Sequence, residues 1–198
     1  SSIDAWQREK IYRPTPVQSQ AEWQRLLAQR PDVQASSVRS GDDGEQVQVL
    51  QLPARPGQLS TVRVLFLHGT YRPAFQNLVK ANPMQHAGMD VVIPDYRGWG
   101  ASSPRLPSEQ SIHEDAWAVW QALQAAPTAG QKPVRWVIYG HSMGSAVAVR
   151  LASAASTPIA RAPSCTPRRL RPANSVNSPI SSSERPRVSA NIGHTRAA

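Results

Sequence analysis

Gly140-His141-Ser142-Met143-Gly144 is the stretch of this sequence whose residue types and spacing spell out covalent chemistry. It fits G-x-S-x-G, in which a serine rides a tight strand-to-helix turn that presents its hydroxyl as a nucleophile. The serine backbone is strained there, and the residues two before and two after must be very small for the turn to close. Gly140 and Gly144 meet that need. Five residues alone carry little weight; the motif also requires a buried strand before it and a helix after it. Both are legible. Pro133 to Tyr139 (PVRWVIY) reads as a buried strand, and Met143 to Ala155 as a small-residue helix able to lie close to a sheet.

A nucleophile of this kind needs donors for the negative charge that develops on the attacked carbonyl oxygen. His68-Gly69-Thr70 closes an earlier apolar run, Thr61 to Leu67. A backbone N–H from that loop and the N–H of the residue after the serine would form an oxyanion hole. The expected donors are Thr70 and Met143. Asp95-Tyr96-Arg97-Gly98-Trp99-Gly100-Ala101-Ser102 follows another apolar run and forms a tight glycine-containing loop beside the site. Asp95 is tempting as the catalytic acid, but it precedes Ser142, and such triads run Ser, acid, His. A structural role for Asp95 and Arg97, holding the loop in shape, is the expectation.

These loops need a scaffold. Residues 1–30 read as a polar, partly helical N-terminal extension, with Trp23, Leu26 and Leu27 at helical spacing within Ala21 to Gln29. Asp32 to Arg39 and Glu45 to Leu52 read as a hairpin around Gly41-Asp42-Asp43-Gly44. Strand and helix then alternate. Thr61 to Leu67, Met89 to Pro94 and Pro133 to Tyr139 are apolar runs of strand length, suited to burial on both faces. Phe75 to His86 is helical in pattern, with an interruption expected at Pro83. Ser108 to Ala125 is the clearest helix, carrying Ile112, Ala116, Val119, Trp120 and Leu123 on one face. Repeated strand–helix units imply an α/β class with a mostly parallel sheet and right-handed crossovers.

From Ser156 the composition changes. Residues 156–198 hold no Phe, Trp or Tyr, six prolines, and seven arginines against one acid, Glu184. No helix or strand period runs through them, and so polar a stretch cannot bury enough apolar area to offset its ordering entropy. The expectation is a disordered basic tail. It supplies +6 of the formal +9, so the rest of the chain has an ordinary balance and shows no basic face for a specific nucleic acid. The single cysteine, Cys165, excludes an intrachain disulfide. No run approaches the ~20 apolar residues of a membrane-spanning helix. The first residue is Ser1 rather than methionine, which fits either a removed export signal or a trimmed chain, and so either a cytoplasmic or an exported location.

The segments VLFLHGT, VVIPDYRGWGAS and VIYGHSMGSAVA, in this order and at these intervals, resemble the α/β-hydrolase superfamily. The likeness is greatest to its serine aminopeptidase-like and acyl-hydrolase group, which has a DYRGxGxS loop. It covers about Asp32 to Ala155. The resemblance implies a three-layer fold whose full sheet has eight strands, of which this chain carries the N-terminal five. It also implies a serine nucleophile, backbone oxyanion donors, and hydrolysis of an ester, thioester or amide through an acyl-enzyme. A small acyl or peptide substrate is implied, and no cofactor or metal.

In that family the acid and the histidine follow later strands, beyond the serine turn. Glu184 and His194 fall in the right order but in a stretch with no scaffold to hold them against Ser142. His141 belongs to the serine turn and is expected to pack beneath it; His86 and His113 read as surface or helix residues. The expectation is a serine hydrolase by ancestry, weak or inactive for want of acid and base. The alternative is a fragment without catalysis whose basic tail binds polyanions. A third possibility is an enzyme borrowing acid and base from the tail or from another chain. The composition after Ala155 is what a shifted reading frame yields, which the coding DNA would test. Without a sixth strand, Pro133 to Tyr139 would form an open apolar edge inviting self-association.

Overall fold

A computed structural model describes residues 2–58, 60–125 and 134–156. Their elements are α1 (Ser2–Tyr12), α2 (Gln20–Ala28), β1 (Gln34–Ser40), β2 (Glu45–Leu52), β3 (Val62–Leu67), α3 (Ala74–His86), β4 (Asp90–Pro94), α4 (Glu109–Ala125), β5 (Arg135–Gly140) and α5 (Met143–Ser156). The tail read as disordered, with Glu184 and His194, lies outside the described residues apart from Ser156, which ends α5.

Local chemistry sets the boundaries. Gly41 and Gly44, at φ 70° and 67°, take left-handed conformations that glycine adopts freely, and the β1–β2 hairpin turns there with Ser40 opposite Glu45. Ser19 caps α2 by accepting the Glu22 amide at 3.1 Å, and Glu22 accepts the Gln18 amide at 2.6 Å. Ser108 stands just outside α4 and exchanges two bonds with Ser111: its hydroxyl accepts the Ser111 amide at 3.1 Å, and its amide donates to the Ser111 hydroxyl at 2.9 Å. The interruption expected at Pro83 does not occur; α3 runs through it. Proline leaves one carbonyl, that of Val79, without its helical donor, and Val79 is on the solvent side of the helix, where water can serve it.

The strands form one mixed sheet in the order β1-β2-β4-β3-β5. β3 pairs in parallel with β4 and with β5, while the hairpin joins antiparallel through β2 and β4. Side chains alternate across the sheet, so each inner strand feeds two cores. Val64 and Phe66 of β3, Val91 and Ile93 of β4, and Leu50 and Leu52 of β2 pack with Ala74, Leu78 and Ala81 of α3. Trp23 of α2 joins this core at 4% exposure, so the segment before the hairpin is packed against the sheet. Leu65 and Leu67, Val92, and Val47 and Val49 face the other way, toward Ile112, Ala116 and Val119 of α4 and Val147, Ala148 and Leu151 of α5. Helices thus cover both faces, giving the three layers of an α/β fold.

The chain leaves β3 toward β4 on one side and returns past it to β5 on the other. Loops at the carboxyl ends of two neighbouring strands that feed helices on opposite faces diverge and leave a crevice. The loops that follow β3 and β5 meet there. Among the described residues β5 is an edge strand, with Val137 and Tyr139 partly open to solvent at 43% and 37%.

Candidate active site

Leu67 and Gly140 are register partners at the ends of β3 and β5, and the His141 amide donates to the Leu67 carbonyl at 3.0 Å. This pairing delivers His68-Gly69-Thr70 and His141-Ser142 side by side. Ser142 has φ 56°, a left-handed conformation that costs a residue with a Cβ roughly 1–2 kcal/mol. It is held by the turn bonds around it, Gly144 N–H to His141 C=O at 3.0 Å and Ser145 N–H to Ser142 C=O at 2.9 Å. Ser142 is exposed, and its hydroxyl has no hydrogen-bond partner among the described residues. A strained, outward-facing serine between a strand and a helix is the conformation that the spacing of Gly140 and Gly144 predicts.

The glycines are required by close approach. A Cβ on Gly144 would overlap the Leu67 carbonyl oxygen and stand 2.7 Å from the His68 carbonyl oxygen. A Cβ on Gly140 would run into the Gly144 carbonyl, 2.6 Å from its carbon. α5 can therefore start directly against β3 only because both positions lack a side chain. Gly144→Val is expected to lower stability by about 1–3 kcal/mol, the usual cost of overpacking. It should also swing Ser142 away from the β3 loop. A urea midpoint unchanged from wild type would contradict this packing.

Gly69 lies directly against the serine: a Cβ placed there would be 2.9 Å from Ser142 Cβ and 3.4 Å from Oγ. Thr70 follows, and Met143 opens α5 beside it. Among the described residues the Thr70 and Met143 amides donate to no protein acceptor, as donors awaiting an oxyanion must. The same helix start adds the positive end of a macrodipole to one side of the site.

Behind the loop the polar groups serve the scaffold. Asp95 is fully buried and accepts the Ala74 amide, the first of α3, at 2.6 Å. A carboxylate there compensates the unpaired donors of a helix start. His68, also fully buried, places Nδ1 2.7 Å from the Gly69 carbonyl oxygen and Nε2 3.0 Å from Asp95 Oδ1, the second approach too oblique for a hydrogen bond. His68 is thus held within the core beside Asp95 and makes no hydrogen bond to Ser142. The Tyr96 hydroxyl donates to the His68 carbonyl at 3.1 Å, and burial, followed by the charges of Asp95 and Asp115, pushes that phenol well above its ordinary range. Arg97 reaches back to α4. Its Nη2 and Nε lie 2.7 and 3.1 Å from Asp115 Oδ1, its amide donates to Oδ2 at 2.7 Å, and Ser40 Oγ donates to Oδ1 at 2.6 Å. Burial works against the Arg97 charge, but the hydrogen bond and charge of Asp115, with Asp43 and Glu114 beyond, raise its pKa overall.

His141 does not pack beneath the turn as expected. It is exposed, with its Nε2 3.1 Å from Lys80 Nζ of α3. His86 is exposed beside Arg55, and His113 sits half-buried on α4, where burial and then Arg150 lower its pKa. Neither contacts the serine. The described residues thus bring together Ser142, Thr70, Met143, Gly140 and Gly144, and bring no carboxylate or free imidazole to the Ser142 hydroxyl. No group of three or more His, Cys, Asp or Glu among them could hold a metal ion, and none of their helices is long and apolar enough to cross a membrane.

Sequence reasoning missed what lies on the outer side of the β3 loop. Residues 13–17 run across it: Thr15 Oγ1 donates to the Tyr71 carbonyl at 2.7 Å, the Gly100 amide donates to Thr15 C=O at 3.0 Å, and Val17 N–H donates to Gly100 C=O at 2.8 Å. Nothing in the local pattern of Arg13-Pro14-Thr15-Pro16-Val17 marks such contacts, because their partners are more than 50 residues away.

Comparison with known proteins gives the family and the fold. The family model described as "Alpha/beta hydrolase family" matches residues 64–196. The chain is 37% identical over 90 residues to the lysophosphatidylserine lipase ABHD12 of Macaca fascicularis, covering 44% of this chain and 21% of that protein. It is 33% identical over 91 residues to Protein ABHD12B of Homo sapiens, covering 45% and 24%. The chain therefore spans about a fifth to a quarter of the length of these curated relatives. Among solved structures, an alpha-beta hydrolase from Vibrio vulnificus is similar at a TM-score of 0.60 and 23% identity, over 77% of this chain and 52% of that one. This last likeness concerns the fold alone.

Proposed function

Because the chain belongs to the α/β-hydrolase family, we propose that it is a serine hydrolase by descent, with Ser142 as its nucleophile. Ser142 Oγ attacks the carbonyl of an ester, thioester or amide in a small acyl or peptide substrate. The oxyanion is received by the Thr70 and Met143 amides, the leaving group departs, and water releases the acyl group from the serine. The observation that carries this reading is the exposed Ser142 at φ 56° with Gly69 directly against it. The lipase named among the relatives favours acyl esters of amphiphilic alcohols as the first substrates to assay.

We infer that turnover is slow: among the described residues neither acid nor base stands against Ser142, and a serine so placed loses its proton only to water. Loss of triad partners typically lowers kcat by about 10⁴–10⁶, leaving the oxyanion donors and substrate binding as the catalytic contribution. A fluorophosphonate probe tests this: slow labelling that stops at one equivalent is expected, located at Ser142 by peptide mapping. A folded chain that never labels, or labels mainly elsewhere, overturns the assignment.

The free edge of β5 supports a second proposal, self-association. Val137 and Tyr139 present a partly exposed apolar row on a strand that, among the described residues, pairs on one side only, a template for another strand. Val137→Lys with Tyr139→Lys should shift sedimentation toward the monomer. Unchanged sedimentation of a species that is already monomeric at tens of micromolar would remove the proposal.

A further inference from the structure

Three residues other than glycine adopt positive φ among the described residues: Arg13 (51°), Tyr71 (74°) and Ser142 (56°). They are far apart in sequence and adjacent through a short chain of contacts. Gly69 lies against Ser142, Tyr71 follows two residues later, and the Arg13 guanidinium stands 5.3 Å above the Tyr71 ring. Backbone strain of this sort persists only where surrounding contacts hold it, and it concentrates at functional sites. Here the holding contacts are visible: the Arg13 amide donates to Glu9 at 3.0 Å, and Thr15 Oγ1 donates to the Tyr71 carbonyl at 2.7 Å.

The chemistry at the end of this chain is specific. A guanidinium stacked on an aromatic ring keeps its edge free, and that edge is a planar fork of N–H donors matched to phosphate and carboxylate oxygens. Among the described residues six arginines have no acidic partner, Arg13, Arg25, Arg39, Arg55, Arg72 and Arg135, and of these Arg13 alone lies over an aromatic ring. Tyr71 is 54% exposed, so the stack forms part of the open rim of the loop that carries Thr70. We propose that Arg13, held over Tyr71, binds an anionic group of the substrate, a phosphate or a carboxylate several bonds from the scissile carbonyl. Residues 13–17 are then a wall of the site, and Arg13 is a specificity determinant. The inference rests on the reading of Ser142 as the reacting centre.

The test uses equilibrium binding of octyl phosphate, octanoate and the neutral octyl glucoside to the full chain at low salt. Wild type should bind one or both anions about tenfold tighter than the neutral amphiphile. Comparing the two anions tells phosphate from carboxylate. Arg13→Gln should reduce the preference to twofold or less, Arg13→Lys should keep part of it, and Ser142→Ala should keep all of it. A preference that survives Arg13→Gln belongs to other basic residues, among them the seven arginines of residues 156–198, and overturns the inference; so does its absence from wild type. Failure of Ser142 to label, with the Arg13-dependent preference intact, would sink the catalytic reading and leave the anion site standing.

Discussion

Ser142→Ala is expected to reduce fluorophosphonate labelling from one equivalent per chain to background, with no change in unfolding midpoint. The effect is all or none because the probe forms a covalent bond to a single hydroxyl. Rates alone would discriminate less well. In a complete triad, loss of the serine costs about 10⁶ in kcat. If, as proposed, the wild-type chain turns over without acid or base, the difference in turnover is smaller. Stability should hold or rise slightly, because a left-handed backbone is carried at Ser142 whichever of the two residues stands there, and the hydroxyl makes no protein hydrogen bond among the described residues. Removal of the hydroxyl therefore separates chemistry from folding. Equal labelling of wild type and Ser142→Ala would show that the reactive group lies elsewhere, whatever the turn looks like.

Asp115→Ala is expected to be the most destabilising single change outside the core, at about 3–5 kcal/mol. Asp115 is fully buried and Arg97 only 7% exposed, and the carboxylate takes four kinds of donor: Arg97 Nε, Arg97 Nη2, the Arg97 amide and Ser40 Oγ. Deleting it leaves the guanidinium with the Ser40 hydroxyl at 3.2 Å and, as acidic partners, the more exposed Glu114 and Asp43 at 3.6 and 4.0 Å. Against a domain stability of about 5–15 kcal/mol, that loss is enough to unfold a marginal chain. The paired replacement Arg97→Met with Asp115→Leu tests the cause. Removing both charges together should recover part of the loss, because no guanidinium is then stranded, while the Arg97 amide and Ser40 Oγ still lose their acceptor. Urea midpoints of the two single variants and the double variant decide the matter. A single-variant loss below about 1 kcal/mol would mean that water reaches this pair.

The helices and the hairpin were legible from their spacing, and β3, β4 and β5 as apolar runs of strand length ended by turn residues. β2 coincides with the run Glu45–Leu52, and β3, β4 and α3 to α5 fall within two residues of the boundaries read from apolar spacing and turn residues. The serine turn was legible for a different reason: its glycines answer to a steric need that is local, within two residues on either side of Ser142. Pro83 misled because proline's missing donor matters only where the orphaned carbonyl is dry, and solvent access is a tertiary property. His141 misled because its side chain lies at the surface beside Lys80 of α3, 61 residues earlier, a contact no local pattern announces. Residues 13–17 could not be placed at all. Their partners, Tyr71 and Gly100, are set by the closing of the sheet, and no spacing within the N-terminal segment encodes a hydrogen bond to residue 71. Arg97 with Asp115 was half visible: an arginine in a glycine loop suggested a structural tie, but its partner on α4 looked like an ordinary acid of a helix's first turns.

The pairing of Leu67 with Gly140 sets how mutable this half of the molecule can be. Each residue along a strand advances about 3.3 Å and reverses the side-chain direction. Deleting one residue between Arg135 and Gly140 would therefore turn Trp136 and Ile138 to the opposite face, or else drag Ser142 a full step from the loop that carries Gly69 and Thr70. Insertions and deletions in that short segment should be purged far more strictly than substitutions, even though its side chains are among the least covered in the sheet.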